Sequence, residues 1–243
     1  SGSVITNGDL HFLTLGDTLS MIDPRPEATE QYTVDNTGRI DVGGKLSLLG
    51  LKGLTVKTGA TWLAGEFDAK APTVIIQSNA ALSTLGSLSL MANSLTLASS
   101  SSRIVAATSG TGTATLTLGA SFSNPGAIHS GDKLVLSALN ITNTSTGGIS
   151  ALGDLKLLAT QSVENSGALY AGDELWVQTT DPINGRITNK ATTGTMDAGG
   201  SIMLISANLT NQNTIDSAGD ITLDSANLKN EISGSIKPTV IAT

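Results

Sequence analysis

Apolar and polar residues alternate along most of this chain in short runs. In Asp173-Glu174-Leu175-Trp176-Val177-Gln178, Leu175 and Val177 fall on one side and Trp176 and Gln178 on the other. A period of two is the mark of a half-buried strand. The same alternation recurs at Leu46 and Leu48, Phe67 and Ala69, Leu88 and Leu90, Leu134 and Leu136, and Leu155 and Leu157. These pairs are predicted to point inward.

The runs belong to a longer phrase, Asn-x-Gly-x-(Ile/Leu), a spacer, Gly-Asp, then the alternating apolar residues. It is clearest over residues 124–230, where Asn124-Gly126-Ile128-Gly131-Asp132-Leu134-Leu136 is followed by Asn143-Gly147-Ile149-Gly153-Asp154-Leu155-Leu157. From Gly131 the glycines that open each strand step to 153, 172, 199 and 219, intervals of 22, 19, 27 and 20 residues. Self-similarity at such a period signals a repeat architecture. Leucine-rich repeats share the period, but their Leu-x-x-Leu-x-Leu followed by a helical turn is missing. Three short strands with no room for a crossover helix can only coil, each turn stacking on the last in parallel at about 4.8 Å. The expected fold is therefore all-β, a parallel β-helix (β-solenoid). Opening glycines at 8, 44, 65, 86, 112, 131, 153, 172, 199 and 219 give about ten coils and a rod roughly 48 Å long.

Each element of the phrase has an expected task. Apolar side chains fill the bore, each worth about 1.5–3 kcal/mol once neighbours cover it. The glycines of Gly-Asp and Gly-Gly are expected to supply positive φ at tight corners. Asparagines at 124, 143, 165, 189, 211 and 230 recur at steps of 19, 22, 24, 22 and 19. Stacked, they would form an amide ladder; alternatively they are ordinary turn residues.

The chain reads as one continuous domain, 1–243, with excursions near 22–34 and 178–198. The first contains Asp23-Pro24-Arg25-Pro26-Glu27, which cannot pair as an interior strand. The second contains Asp181-Pro182-Ile183-Asn184-Gly185 and accounts for the long 27-residue step. Over 98–123 the motif blurs into Ser and Thr, consistent with a coil or two having a wider corner. Past Asn230 the end, Ile236-Lys237-Pro238-Thr239-Val240-Ile241, departs from the pattern in the manner of a last strand cut off from its continuation.

Composition limits the function. There is no cysteine, so stability must come from stacking, and a net charge of −7 without basic clusters disfavours nucleic acid and anionic membranes. No apolar run is long enough to span a bilayer, and the first residues lack the basic and apolar regions of a signal peptide. The segment is therefore expected not to insert in a membrane.

The phrase Asn-x-Gly-x-(Ile/Leu)-x-x-Gly-Asp-(x)-Leu-x-Leu resembles the filamentous-haemagglutinin repeats of bacterial two-partner-secretion exoproteins, which include adhesins and the toxins of contact-dependent growth inhibition. The likeness is clear over 124–230, fair over 36–97 and partial over 7–15. It implies a right-handed coil, export through an outer-membrane partner transporter, and a secreted, cell-surface location. It also implies a shaft that carries an adhesive region or a C-terminal toxin. The Asn-Pro-Asn-type motif of the family's secretion domain is absent, which fits an internal shaft segment acting as a monomer.

β-Helical polysaccharide-degrading enzymes use acidic residues on one face. Asp132, Asp154, Asp173 and Asp220, however, recur at equivalent corners, and a residue repeated in every turn serves the fold first. Asp216, Asp220 and Asp224 lack the Gly-Gly-x-Gly-x-Asp context of a calcium coil, and in a strand i and i+4 lie about 13 Å apart. His11 and His129 stand alone, so no zinc site is legible, and no Gly-x-Ser-x-Gly elbow occurs. The expectation is no catalysis, no metal and no cofactor. Three aromatics remain as candidate contacts to a receptor or glycan: Tyr170, Trp176 and Trp62. Alternation sends Tyr170 and Trp176 outward, unless they pack beneath the 178–198 excursion; Trp62, beside apolar Leu63, poses the same choice.

Overall fold

The computed structural model describes residues 3–13, 32–191 and 193–238. Among them there is no helix; the strands pair in parallel, coil upon coil, as a β-solenoid of about ten turns. The excursion expected near 22–34 lies largely outside the described residues, and only its last positions, within the strand Tyr32–Asn36, are described.

Each turn has three faces. The coil around 127–143 shows them plainly: the strand Ala127–Ser130, a corner at Gly131-Asp132, then the strand Lys133–Asn143, which bends at Leu139. A bulge in its pairing with Leu155–Asn165 lies between Ala138 and Asn140, marking that bend. A bulge bends its strand, so one strand covers two faces. Residues 144–147 then lead to the next coil.

Register is kept column by column. On the first face Ile40, Trp62, Leu82, Ile104, Ile128, Ile149, Leu169, Met196 and Ile215 lie one above another, all at most 4% exposed. A second inward column, next to the corner, is held to small residues: Ala106, Ser130, Ala151, Ala171, Ala198 and Ser217. On the second face the inward pairs expected from alternation are buried, including Leu46 and Leu48, Phe67 and Ala69, Leu88 and Leu90, and Leu175 and Val177.

Corner glycines are needed for a different reason from the expected one. Positive φ occurs at Gly50, Gly59, Gly110 and Gly112, and at Asn79 and Ala107. At Gly131, Gly153, Gly172, Gly199 and Gly219 φ lies outside that region. There the constraint is the coil beneath: a Cβ on Gly172 would overlap the carbonyl of Leu152, and one on Gly131 that of Ala107. Neighbouring corners are also bonded directly, with Gly86 N donating to Gly65 O at 2.7 Å and Gly219 N to Gly200 O at 2.7 Å. Gly172→Ala is therefore expected to cost about 2–3 kcal/mol, because backbone rather than a mobile side chain must move. Urea unfolding checks this; a loss below about 0.5 kcal/mol, the range of ordinary surface changes, would show that the corner yields freely.

One further expectation is corrected. The stretch 178–198 does not bulge as a whole. Arg186–Asn189 and Thr195–Ala198 are coil strands paired on both sides, so the added length lies outside these two strands, part of it in the loop at 180–185. The end does form a last strand: Ser235–Pro238 pairs with Thr214–Ser217, placing Ile236 in the column of Ile215. The wider corner expected within 98–123 is present at residues 107–112, where Ala107, Gly110 and Gly112 have positive φ.

Candidate functional site: an amide ladder and an outward aromatic hollow

The six asparagines form the expected ladder. Asn124 Nδ2 donates to Asn143 Oδ1 at 2.9 Å, and the relay continues to Asn165, Asn189, Asn211 and Asn230 at 2.9, 3.0, 2.9 and 2.9 Å. The second hydrogen of each amide goes to a main-chain oxygen of the next coil, at Gly148, Ala168, Thr195, Thr214 and Ser235 in turn. From Asn124 to Asn211 the side chains are at most 1% exposed. Buried amides of this kind must be paired, and here both donors are.

Towards the N-terminus three successive equivalent strand ends are aliphatic, and the one before them, Asn36 in register with Val56, is again an asparagine. Val56, Ile76 and Leu97 close their strands in register with one another, all buried. The following turn then uses a left-handed residue, Gly59 at φ 74° or Asn79 at φ 57°, closed by Ala60 N to Lys57 O at 2.9 Å and Ala80 N to Gln77 O at 3.1 Å. One bend is thus made in two ways: an aliphatic column with a left-handed turn, or an amide ladder.

Three of the corner aspartates bind neighbouring coils. Asp9 accepts from Lys45 N at 2.8 Å, Asp132 from Gly112 N at 3.0 Å and Asp154 from Glu174 N at 3.4 Å. Asp154 also pairs with Lys133 at 2.9 Å. That hydrogen bond, with the charges of Asp154, Asp132 and Asp173, holds the Lys133 ammonium above its ordinary pKa. In the 180–185 loop the main-chain N–H groups of Asn184 and Ile183 hold the Asp181 carboxyl below its ordinary value. Among the described residues no group of three or more His, Asp or Glu is placed to hold a metal ion.

The three aromatic candidates separate. Trp62 is not a surface residue: it is 1% exposed in the inward column between Ile40 and Leu82, and its indole N–H has no hydrogen-bond partner. Tyr170 points outward, 39% exposed, between Ser150 and Asp197. Trp176 also points outward but is half-buried in the column Lys156–Trp176–Met203 rather than beneath a loop. The Lys156 ammonium stands 4.2 Å from its ring centre, and its Nε1 donates to Gln178 Oε1 at 3.2 Å. Tyr170 and Trp176 lie on different strands on either side of the Gly172-Asp173 corner. A shallow hollow of about 260 Å³ adjoins Trp176, lined also by Lys133, Val135, Asp154, Lys156 and Glu174.

Lys133 and Lys156 did not stand out in the sequence. A signal existed: Lys133 and Asp154 are separated by 21 residues, about one coil, and Asp35 and Lys57, which pair at 3.2 Å, by 22. Opposite charges one period apart become neighbours on the outer surface, where such pairs contribute about 0–1 kcal/mol.

The fold class is a parallel β-solenoid. Comparison with protein-family models, curated proteins and solved structures finds no match. Among the described residues no helix is long and apolar enough to cross a membrane.

Proposed function

We propose that this chain is a shaft segment of a secreted bacterial surface fibre of the filamentous-haemagglutinin type. In that role it spaces an adhesive region or a toxin from the cell that exports it through an outer-membrane partner. The observation that carries this reading is that the repeated phrase is spent on stacking: Leu and Ile fill columns, Gly admits the next coil, Asp bonds to neighbouring main chain, and Asn forms the ladder. A protein whose recurring residues hold one coil to the next is built for length, and stability then grows by nearest-neighbour interfaces. The reading includes no catalytic role: Asp9, Asp132 and Asp154 are engaged at corners with main chain of a neighbouring coil.

A receptor- or glycan-binding module is the second reading, favoured by the hollow beside Trp176 and by exposed Tyr170. The ring of Trp176 is already flanked in register by Lys156 and Met203, which leaves less of its face for a sugar. Trp176→Ala in the full fibre separates the two. The shaft reading expects attachment of fibre-bearing cells to target cells unchanged within about twofold, with the solenoid destabilised by about 1–3 kcal/mol through lost packing. Loss of attachment by a variant that still folds would establish the binding reading. Small-angle scattering from an elongated rigid particle is also expected.

A further inference from the structure

Alternation along a strand puts apolar residues inward and polar ones outward. On the second face the earlier coils keep that rule: Asp68, Ser89 and Thr115 form one outward column, and Lys70 and Thr117 flank Met91 in the other. Over the next four coils it fails. The first column continues as Val135, Lys156, Trp176 and Met203, the second as Ser137, Leu158, Gln178 and Ile205. Val135, Leu158, Trp176, Met203 and Ile205 therefore share one outward patch, each half-buried rather than covered. The bore does not need them, because Leu175, Val177, Ile202 and Leu204 already fill it behind the patch. One coil later the same positions return to Thr222 and Asp224. Single apolar residues on a surface are ordinary, whereas a contiguous group marks a contact.

A line of carboxylates borders the patch. Asp154, Glu174 and Asp220 stand immediately before the second-face residues Leu155, Leu175 and Ile221, and Asp132 and Asp173 lie in the same row of corners. Glu174 and Trp176 are two residues apart, about 7 Å. The lysine in this row, Lys133, is paired with Asp154 at 2.9 Å. Among the described residues Asp173, Glu174 and Asp220 belong to no ion pair. The hollow of about 260 Å³ lies where patch and carboxylates meet, between Val135, Trp176 and Glu174.

We propose that this face docks a basic amphipathic helix of a partner protein, its apolar stripe on the patch and its lysines or arginines along the carboxylate line. Residues three or four apart on a helix rise about 4.5–6 Å, close to the step of about 4.8 Å between coils, so one stripe can follow one column. Charge selects the occupant. A second copy of this chain brings a net charge of −7 and the same acidic corner. A neutral sugar can use the Trp176 ring but leaves the carboxylates without a partner. Lys156 does not reverse the sign, since its ammonium is engaged 4.2 Å from the Trp176 ring centre. The inference goes beyond the shaft reading and does not require it, because a shaft can carry a docked protein on one side.

The test titrates the full chain into a labelled leucine–lysine peptide patterned as an amphipathic helix, and into a leucine–glutamate peptide of the same pattern, with fluorescence anisotropy as the readout. Circular dichroism checks that each variant is folded. The lysine peptide is expected to bind and the glutamate peptide not. Met203→Ser, and Asp173→Asn together with Glu174→Gln, should each weaken binding by at least about fivefold. Asp197→Asn with Asp216→Asn removes the same charge from the first face and should change binding by less than about twofold. Equal losses from the two charge pairs would overturn the proposal, since the attraction would then be diffuse. So would full binding by Met203→Ser, or a dimer in sedimentation that Met203→Ser abolishes, which would make the occupant a second copy. Binding of a neutral oligosaccharide that Trp176→Ala abolishes, without binding of the lysine peptide, would assign the face to a sugar instead.

Discussion

Replacing Asn165 by aspartate is expected to cost the solenoid about 3–5 kcal/mol, more than its one-atom difference suggests. Asn165 is fully buried; it donates to Asn189 Oδ1 at 3.0 Å and Thr195 O at 2.9 Å and accepts from Asn143 Nδ2 at 2.9 Å. A carboxylate keeps the accepted bond but turns oxygen towards two oxygens, and it brings a charge out of water. A protonated carboxyl restores one donor of the two. Burial raises the pKa of the introduced group in the folded state, so the folded protein binds the proton more readily than the unfolded one. The deficit relative to Asn165 therefore shrinks as pH falls through that raised pKa. Denaturant unfolding at several pH values measures both quantities. A loss under about 1 kcal/mol would mean that the ladder contributes little beyond its turns. Asn165→Leu alone should also be costly, since it orphans Asn189 Oδ1 and Thr195 O. Replacing the whole column is expected to cost less per position, as the buried run Val56, Ile76 and Leu97 indicates.

Trp62→Ala is the second large effect, an expected loss of about 3–5 kcal/mol from the cavity left in the bore. Trp62→Leu should recover most of it. The column above and below is Ile40 and Leu82, and leucine removes an indole N–H that has no partner. Equilibrium unfolding of the two variants tests the pair. If Trp62→Ala is tolerated within about 1 kcal/mol, the first-face column is not a packed core at that level.

Much of this was legible because a repeat states each requirement many times. The inward Leu pairs and the asparagine steps follow from alternation and spacing alone, and the ladder is what those steps become when coils stack in register. Trp62 shows where neighbour-to-neighbour reading falls short. Beside Leu63 its direction is ambiguous, but it stands three residues before Gly65, as Ile128 does before Gly131, and position relative to the corner settles the column. The 178–198 stretch misleads because Pro182 and Asn184-Gly185 are loud turn signals, while Ile187, Asn189 and Met196 between and beyond them carry the phrase quietly. For glycine, sequence cannot distinguish an unusual φ from the close approach of another chain segment; both exclude a side chain. The outward half of Trp176 was legible as direction, but the Lys156 that stands over its ring comes from a different coil.

The two ways of making one bend also bear on how the rod carries a load. Tension along the axis pulls each coil from the next, so levels act in series and the rod is as strong as its weakest step. From Asn124 to Asn230 every step is bridged at the bend by a side-chain hydrogen bond in addition to the strand pairing. From Val56 to Leu97 the bend column is aliphatic, and the side-chain bridges lie in the turn that follows, where Gln77 Oε1 accepts from Thr58 N at 3.0 Å and Ser101 Oγ accepts from Asn79 N at 2.9 Å. The change from one to the other, between Leu97 and Asn124, moves the bridge from exposed turn side chains, where water competes for each bond, to a buried amide column from which water is excluded.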